Sequence, residues 1–105
     1  MKIKTLDISA REWFDKVNGN SYFSAHVSIN FGLKGQKDFA IEYQYGYGDH
    51  YLTIAFQELQ KRGYIKAQDS NIALWRYCSE HNIILRKTKY ENCLKRDMIS
   101  FGANI

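Results

Sequence analysis

Tyr22-Phe23-Ser24-Ala25-His26-Val27-Ser28-Ile29-Asn30-Phe31, then Gly32-Leu33-Lys34-Gly35-Gln36, then Asp38-Phe39-Ala40-Ile41-Glu42-Tyr43-Gln44-Tyr45 form the stretch on which the fold turns. In the first run Phe23, Ala25, Val27, Ile29 and Phe31 alternate with Tyr22, Ser24, His26, Ser28 and Asn30, the period of two that gives a strand one apolar and one polar side. The second run repeats the pattern, with Phe39, Ile41, Tyr43 and Tyr45 against Asp38, Ala40, Glu42 and Gln44. Two glycines between the runs supply turn geometry, so the spacing predicts a hairpin of strands 22–31 and 38–45. Setting Phe31 opposite Lys37 puts Ile29 across from Phe39, Val27 from Ile41, Ala25 from Tyr43 and Phe23 from Tyr45, and the two apolar sides then coincide. The same register makes His26 and Glu42 neighbours on the polar side.

Upstream, residues 2–8 alternate weakly, with Ile3, Thr5 and Asp7 against Lys4, Leu6 and Ile8, which predicts a short strand. Ser9-Ala10-Arg11-Glu12 has the spacing of a capping box and predicts a short helix through Trp13, Phe14 and Val17, ended by Asn18-Gly19-Asn20. Downstream, Gln44-Tyr45-Gly46-Tyr47-Gly48-Asp49-His50-Tyr51 joins the hairpin to a helix near 50–62, for which Asp49 is the expected N-cap. Leu52, Ala55, Phe56 and Leu59 form its apolar stripe and Gly63 closes it. A second helix is expected over 70–81, starting at Asp69 or Ser70 and turning Leu74, Trp75 and Cys78 inward. Ile83 to Tyr90 reads as a strand. Cys93 to Phe101 reads either as its hairpin partner, with Arg86 opposite Asp97 and Leu85 opposite Met98, or as a helix on the spacing of Leu94, Met98 and Phe101; the hairpin accounts for more of the residues. The fold class that follows is α+β, an antiparallel sheet with two helices packed on one face, in a single domain.

The chain has 105 residues, 45% hydrophobic and 25% charged, the balance of a globular domain rather than of a disordered segment. It contains no proline, no repeat and no apolar run near the roughly 20 residues a membrane span requires. Met1-Lys2-Ile3-Lys4 leads into no signal-peptide core, and the two cysteines, Cys78 and Cys93, give no disulfide framework, so a cytoplasmic protein with reduced thiols is expected. Charge is uneven. Residues 1–60 hold six Lys/Arg against seven Asp/Glu, and residues 61–105 hold nine against four. Lys61, Arg62, Lys66, Arg76, Arg86, Lys87, Lys89, Lys95 and Arg96 make the second part the basic one, either as a solvated surface or as a field for a polyanion or an acidic protein.

Few residues suggest chemistry. His26 with Glu42 is a conceivable acid/base couple, but no nucleophile or oxyanion donor accompanies it, and a wet surface pair is the ordinary reading. Asp49 and His50 adjoin at a helix start, where neighbours diverge. Cys78 and His81 lie three apart and Cys93 can be drawn as a third ligand, yet no second half of a zinc motif exists, so no metal and no cofactor is expected. Gly46 and Gly48 lack the third glycine and the Lys-Ser/Thr of phosphate loops. Tyr43, Tyr45 and Tyr47 resemble a stacking platform for bases, although the first two share the apolar side of Phe39.

Trp13-Phe14-Asp15-Lys16-Val17-Asn18-Gly19-Asn20-Ser21-Tyr22-Phe23-Ser24-Ala25, with Gln44-Tyr45-Gly46-Tyr47-Gly48-Asp49, resembles a group of small uncharacterised proteins of bacterial phages and mobile elements. The likeness covers about the first half of the chain and carries no catalytic residue with it. It implies an accessory factor that binds nucleic acid, or an inhibitor that binds a host protein. The expected function is therefore binding of a macromolecular partner, host protein or nucleic acid, without catalysis. The rivals are a small metal- or acid/base-dependent hydrolase or nuclease and a structural or oligomerising phage component. The candidate contact residues are Tyr22, His26, Gln44, Tyr47, His50, Tyr51, Arg86, Lys87, Lys89, Lys95 and Arg96. Neither the partner's identity nor the oligomeric state is legible.

Overall fold

The computed structural model describes residues 2–68 and 72–93. Six elements follow in order: β1 (Thr5–Asp15), β2 (Asn20–Ile29), β3 (Lys37–Tyr45), α1 (His50–Lys61), α2 (Leu74–Glu80) and β4 (Ile84–Tyr90). The strands make one sheet in the order β3-β2-β1-β4. β1 and β3 both run antiparallel to β2, whereas β4 runs parallel to β1. The class is α+β as expected, but the sheet is mixed rather than antiparallel. A parallel neighbour requires a long crossover, and the α1–α2 segment supplies one.

The segment expected to be helical is a strand. Leu6, Ile8 and Ala10 are buried in alternation along β1, a period of two that reaches into Ser9-Ala10-Arg11-Glu12 as far as Ala10. Ten residue pairs, from Leu6 with Ile29 to Asp15 with Asn20, tie β1 to β2. A helix cap is worth about 1 kcal/mol and does not compete with a full ladder and a buried side. Asn18-Gly19-Asn20 makes the turn of this hairpin. Gly19 sits at φ 71° and donates to the Asp15 carbonyl, and the Asp15 side chain accepts the Val17 and Asn18 amides.

The β2–β3 hairpin forms with a register two residues from the expected one: Val27 faces Phe39 and Ala25 faces Ile41. A shift of two keeps every side chain on its own side, so the apolar side survives the change. Its cause is Asn30. At φ 56° it ends β2, and two successive turns, Leu33 N–H to the Asn30 carbonyl and Gln36 N–H to the Leu33 carbonyl, lengthen the loop. Phe31 is left exposed. Further along, Ile41 to Gln44 on β3 spans the same stretch as Ala25 to Phe23 on β2, a bulge of one residue. Tyr43, which unbroken alternation from Ile41 would send to the core side, stacks on Tyr22 instead at 5.2 Å.

α1 matches the expected span closely. Tyr51, Ala55, Phe56 and Leu59 are its buried residues, with Leu52 only half-buried, so the stripe is turned slightly from the expected one. Asp49 makes no side-chain cap. At the other end Gly63, at φ 81°, donates to the Gln60 carbonyl and Tyr64 to the Leu59 carbonyl, the paired bonds of a Schellman motif. α2 begins at Leu74, after an extended Ala73; the expected start at Asp69 or Ser70 lies outside the described residues. Leu74 and Cys78 turn inward, but Trp75 is 65% exposed and Tyr77 takes the inner place. Asn82, at φ 56°, ends α2 as Gly63 ends α1, with Ile83 donating to the Cys78 carbonyl. The expected second strand, Cys93 to Phe101, lies outside the described residues except for Cys93. The buried side chains of the sheet and of both helices form one hydrophobic cluster.

Asn30 is the tightest node of this fold. Its Oδ1 accepts the Lys4 amide at 2.7 Å and the Thr5 amide at 3.2 Å, and its Nδ2 donates to the Lys2 carbonyl at 3.0 Å. Replacing it leaves amides unpaired near the core and, for residues other than glycine, keeps the strain of positive φ. Urea unfolding is expected to rank the variants wild type, Asn30→Asp, Asn30→Gly, Asn30→Ala in falling stability, the last by about 2–4 kcal/mol. The aspartate keeps the acceptors but sets an oxygen against the Lys2 carbonyl.

Candidate functional site

The segment from Gln44 to Tyr51 leaves β3 and enters α1 by a sharp corner whose geometry hangs on Gly46. Gly46 donates its amide to the Ser21 carbonyl at 3.0 Å, continuing the β2–β3 ladder by one more bond. A Cβ at this position would stand 2.7 Å from Cε1 of Phe23 and 2.7 Å from Cδ2 of His50, so any residue but glycine must displace these rings. His50 in turn meets the buried Phe23 ring edge to face at 6.0 Å. Gly48, at φ 61°, completes the bend. Its carbonyl accepts a hydrogen bond from Lys89 Nζ at 3.0 Å, and the same ammonium pairs with Glu12 at 3.1 Å. Strands β1 and β4 therefore hold the corner from beneath.

On the outside, two tyrosines flank the buried Gly46: Tyr45 is 57% exposed and Tyr47 68%. With Asp49, His50 and Thr53 they line a shallow concavity of about 520 Å³ that contains no lysine or arginine. Behind it lies an aromatic ladder across three strands. Trp13 stacks on Tyr22 at 5.7 Å, Tyr22 on Tyr43 at 5.2 Å, and Tyr45 meets Tyr22 edge-on at 6.0 Å. Burial, and then the neighbouring Tyr22 and Asp15, push the Tyr43 hydroxyl pKa upward.

The expected contact residues are thus only partly gathered here. Tyr22, Gln44, Tyr47 and His50 belong to the corner or its support, and Gln44 turns its Nε2 to the Glu42 carbonyl at 3.2 Å. Tyr51 does not belong: it is buried in the core, where burial and then the charge of Asp49 raise its pKa. His26 stands elsewhere on the sheet, opposite Ala40 rather than Glu42, with Asp38 at 3.5 Å. The two-residue register change dissolves the couple drawn from the sequence.

Four of the seven described cations of the basic field are engaged within the chain. Arg86 makes two bonds to Asp7, at 2.6 and 2.9 Å, which raise its pKa further. Arg62 pairs with Glu58 and lies 4.3 Å over the Phe39 ring, Arg76 approaches Glu80 at 3.9 Å, and Lys89 is turned inward to Glu12. Lys61, Lys66 and Lys87 have no ion-pair partner among the described residues, and Lys95 and Arg96 lie outside them. The tie of Lys89 to Glu12 and Gly48 had no signal in the sequence, because parallel pairing of β4 with β1 creates it.

The metal triad drawn from Cys78, His81 and Cys93 is not assembled. Cys78 is buried, His81 stacks on Tyr77 at 4.0 Å with its Nδ1 2.9 Å from the Tyr77 carbonyl, and the Cys93 thiol points to the Tyr90 carbonyl. Among the described residues no three His, Cys, Asp or Glu side chains converge on a possible ion, and no helix is long and apolar enough to cross a membrane.

Three outcomes follow. Gly46→Ala should destabilise the chain by about 1–3 kcal/mol through overpacking against the Phe23 ring, read by urea unfolding together with a shifted His50 ring resonance. Burial raises the Cys78 thiol pKa to about 11, and burial also raises that of Tyr77. The folded state then keeps protons that the unfolded chain releases, so stability should fall as pH rises from the ordinary thiol range toward about 11. At pH 8 a thiol reagent should modify Cys93 and spare Cys78 until the chain unfolds. No family model, curated protein or solved structure matches this chain.

Proposed function

We propose that this protein is a non-enzymatic accessory factor that binds another protein through the corner formed by Tyr45, Tyr47 and His50. The observation that carries this reading is the pair of exposed tyrosines held at a glycine packed against the Phe23 and His50 rings. Tyrosine offers a large rigid ring and a hydroxyl at little entropic cost, which is why it dominates the centres of protein interfaces. A rigid bend that presents two of them, backed by a stack of further rings, is already organised for contact.

A protein suits the corner better than a nucleic acid does. Bases need open ring faces and phosphates need cations. Here Tyr22 spends its faces on Trp13 and Tyr43, the concavity carries Asp49 and no cation, and the nearby Lys89 is committed to Glu12. Of the two roles that the resemblance to small phage and mobile-element proteins implies, a factor that binds nucleic acid and an inhibitor that binds a host protein, the corner suits the second. The enzyme reading is weakened because His26 stands opposite Ala40 rather than Glu42.

The test compares immobilised wild-type chain with a Tyr45→Ser/Tyr47→Ser variant in a bacterial lysate, beside 20-mer single-stranded DNA and RNA. The expected result is a protein retained by the wild type and lost from the variant, with an unchanged urea midpoint and no oligonucleotide binding at low salt. Equal retention by both, or oligonucleotide binding with a steep salt dependence that the same substitutions abolish, overturns the proposal.

A further inference from the structure

β3 is an edge strand, and the direction of its backbone can be read from two bonds. Asn30 N–H donates to the Thr5 carbonyl, so Asn30 faces β1. Alternation then turns Ile29, Val27 and Ala25 toward β3, where they meet Lys37, Phe39 and Ile41. Asp38, Ala40 and Glu42 therefore turn their own N–H and C=O groups away from the sheet. The outward direction is visible at Glu42, whose carbonyl is reached by the Gln44 side chain at 3.2 Å. Among the described residues no strand lies beyond this edge.

A groove of about 290 Å³ runs between the edge and α1, lined by Ala40, Ile41, Glu42, Ile54, Glu58 and Arg62. The groove continues past Ile41 to Glu42 and Gln44, where the bulge bends the strand. We infer that this edge accepts, as a fifth strand, an extended segment of another protein with the order basic, apolar, small, apolar, basic. A strand laid here sets alternate side chains beside Asp38, Ala40 and Glu42 on one side of the sheet, and the residues between them beside Phe39 and Ile41 on the core side. Glu42 selects a cation, Asp38 adds a second negative charge although it accepts from Gln36 Nε2 at 2.9 Å and stands 3.5 Å from His26, and Ala40 leaves room for a small residue. The intervening pair packs on Ile41 and Ile54. The order reads the same in either strand direction.

A second copy of this chain centred on Ala40 is disfavoured. Antiparallel pairing about Ala40 would set Asp38 of each copy against Glu42 of the other, and like charges directly opposed across strands repel. Gln44 acts as a light cover over the Glu42 carbonyl that the incoming strand displaces. The inference does not rest on the tyrosine corner, and the two are tested by different substitutions.

The probe is a fluorescein-labelled nonapeptide, Ser-Gly-Lys-Val-Ser-Val-Lys-Gly-Ser, titrated at low ionic strength and followed by anisotropy and amide NMR. Saturable binding is expected, with shifts centred on Asp38, Ala40 and Glu42 and slowed amide exchange at Asp38 and Ala40. Glu42→Lys should weaken it at least about tenfold. Gln44→Ala should tighten it by about twofold to fivefold, because the exposed cover no longer has to be displaced. Tyr45→Ser/Tyr47→Ser should leave it unchanged. The inference is overturned by absence of saturation up to millimolar peptide or by shifts that map outside β3. Equal binding of a peptide with both lysines replaced by glutamate, or of one N-methylated at its five central residues, overturns it as well.

Discussion

β1 pairs on both sides, and the rest of the molecule is arranged around that fact. Its odd-numbered residues from Thr5 exchange backbone bonds with β2, and its even-numbered ones with β4, beginning with Ile84 N–H to the Lys4 carbonyl and continuing past the strand with Cys93 N–H to the Glu12 carbonyl. Asn30 grips the start of this strand through the Lys4 and Thr5 amides, so the register on one side and the docking of β4 on the other meet at one side chain. With β1 in place, Leu6, Ile8 and Ala10 form the floor on which Tyr51, Phe56, Leu59 and Tyr77 close the core. Burial of so many apolar groups is the main favourable term, and β1 decides where they are buried.

How much of this was legible depended on whether the deciding interaction was local. The hairpin and α1 declare themselves through periodicity that extends over many residues, and both are present near their expected bounds. β1 was half-read, because Ser9-Ala10-Arg11-Glu12 carries a strong local helix signal while the case for a strand lies in residues 25–29 of its partner. Opposing partners are not visible in a local pattern. The register was missed for a similar reason: a non-glycine residue at positive φ, Asn30, lengthened the loop, and nothing nearby distinguished a turn starting there from one starting at Gly32. The parallel placement of β4 depended on the path of two helices and was out of reach.

The site shows the same division. Gly46 and Gly48 lie at the bend, and Tyr47, one of the candidate contacts, is the more exposed of the two flanking tyrosines. Tyr45 and Tyr51 exchanged roles with respect to expectation, Tyr45 going to the surface through the bulge and Tyr51 to the core through a small rotation of α1. The surplus of cations was real in the sequence, yet Asp7, Glu12, Glu58 and Glu80 neutralise four of them in place. A count of charges carries no information on which are already answered.

The grip of Lys89 on the Gly48 carbonyl, together with the Arg86 bridge to Asp7 across 79 positions of sequence, sets an order of events in the cell. During synthesis the β1–β2–β3 meander emerges first and can pair while later residues are still inside the ribosome. The tyrosine corner gains its underside only when β4 has cleared the exit tunnel and reached β1. Until then β1 offers a bare edge, and the Gly48 carbonyl lacks the bond from Lys89.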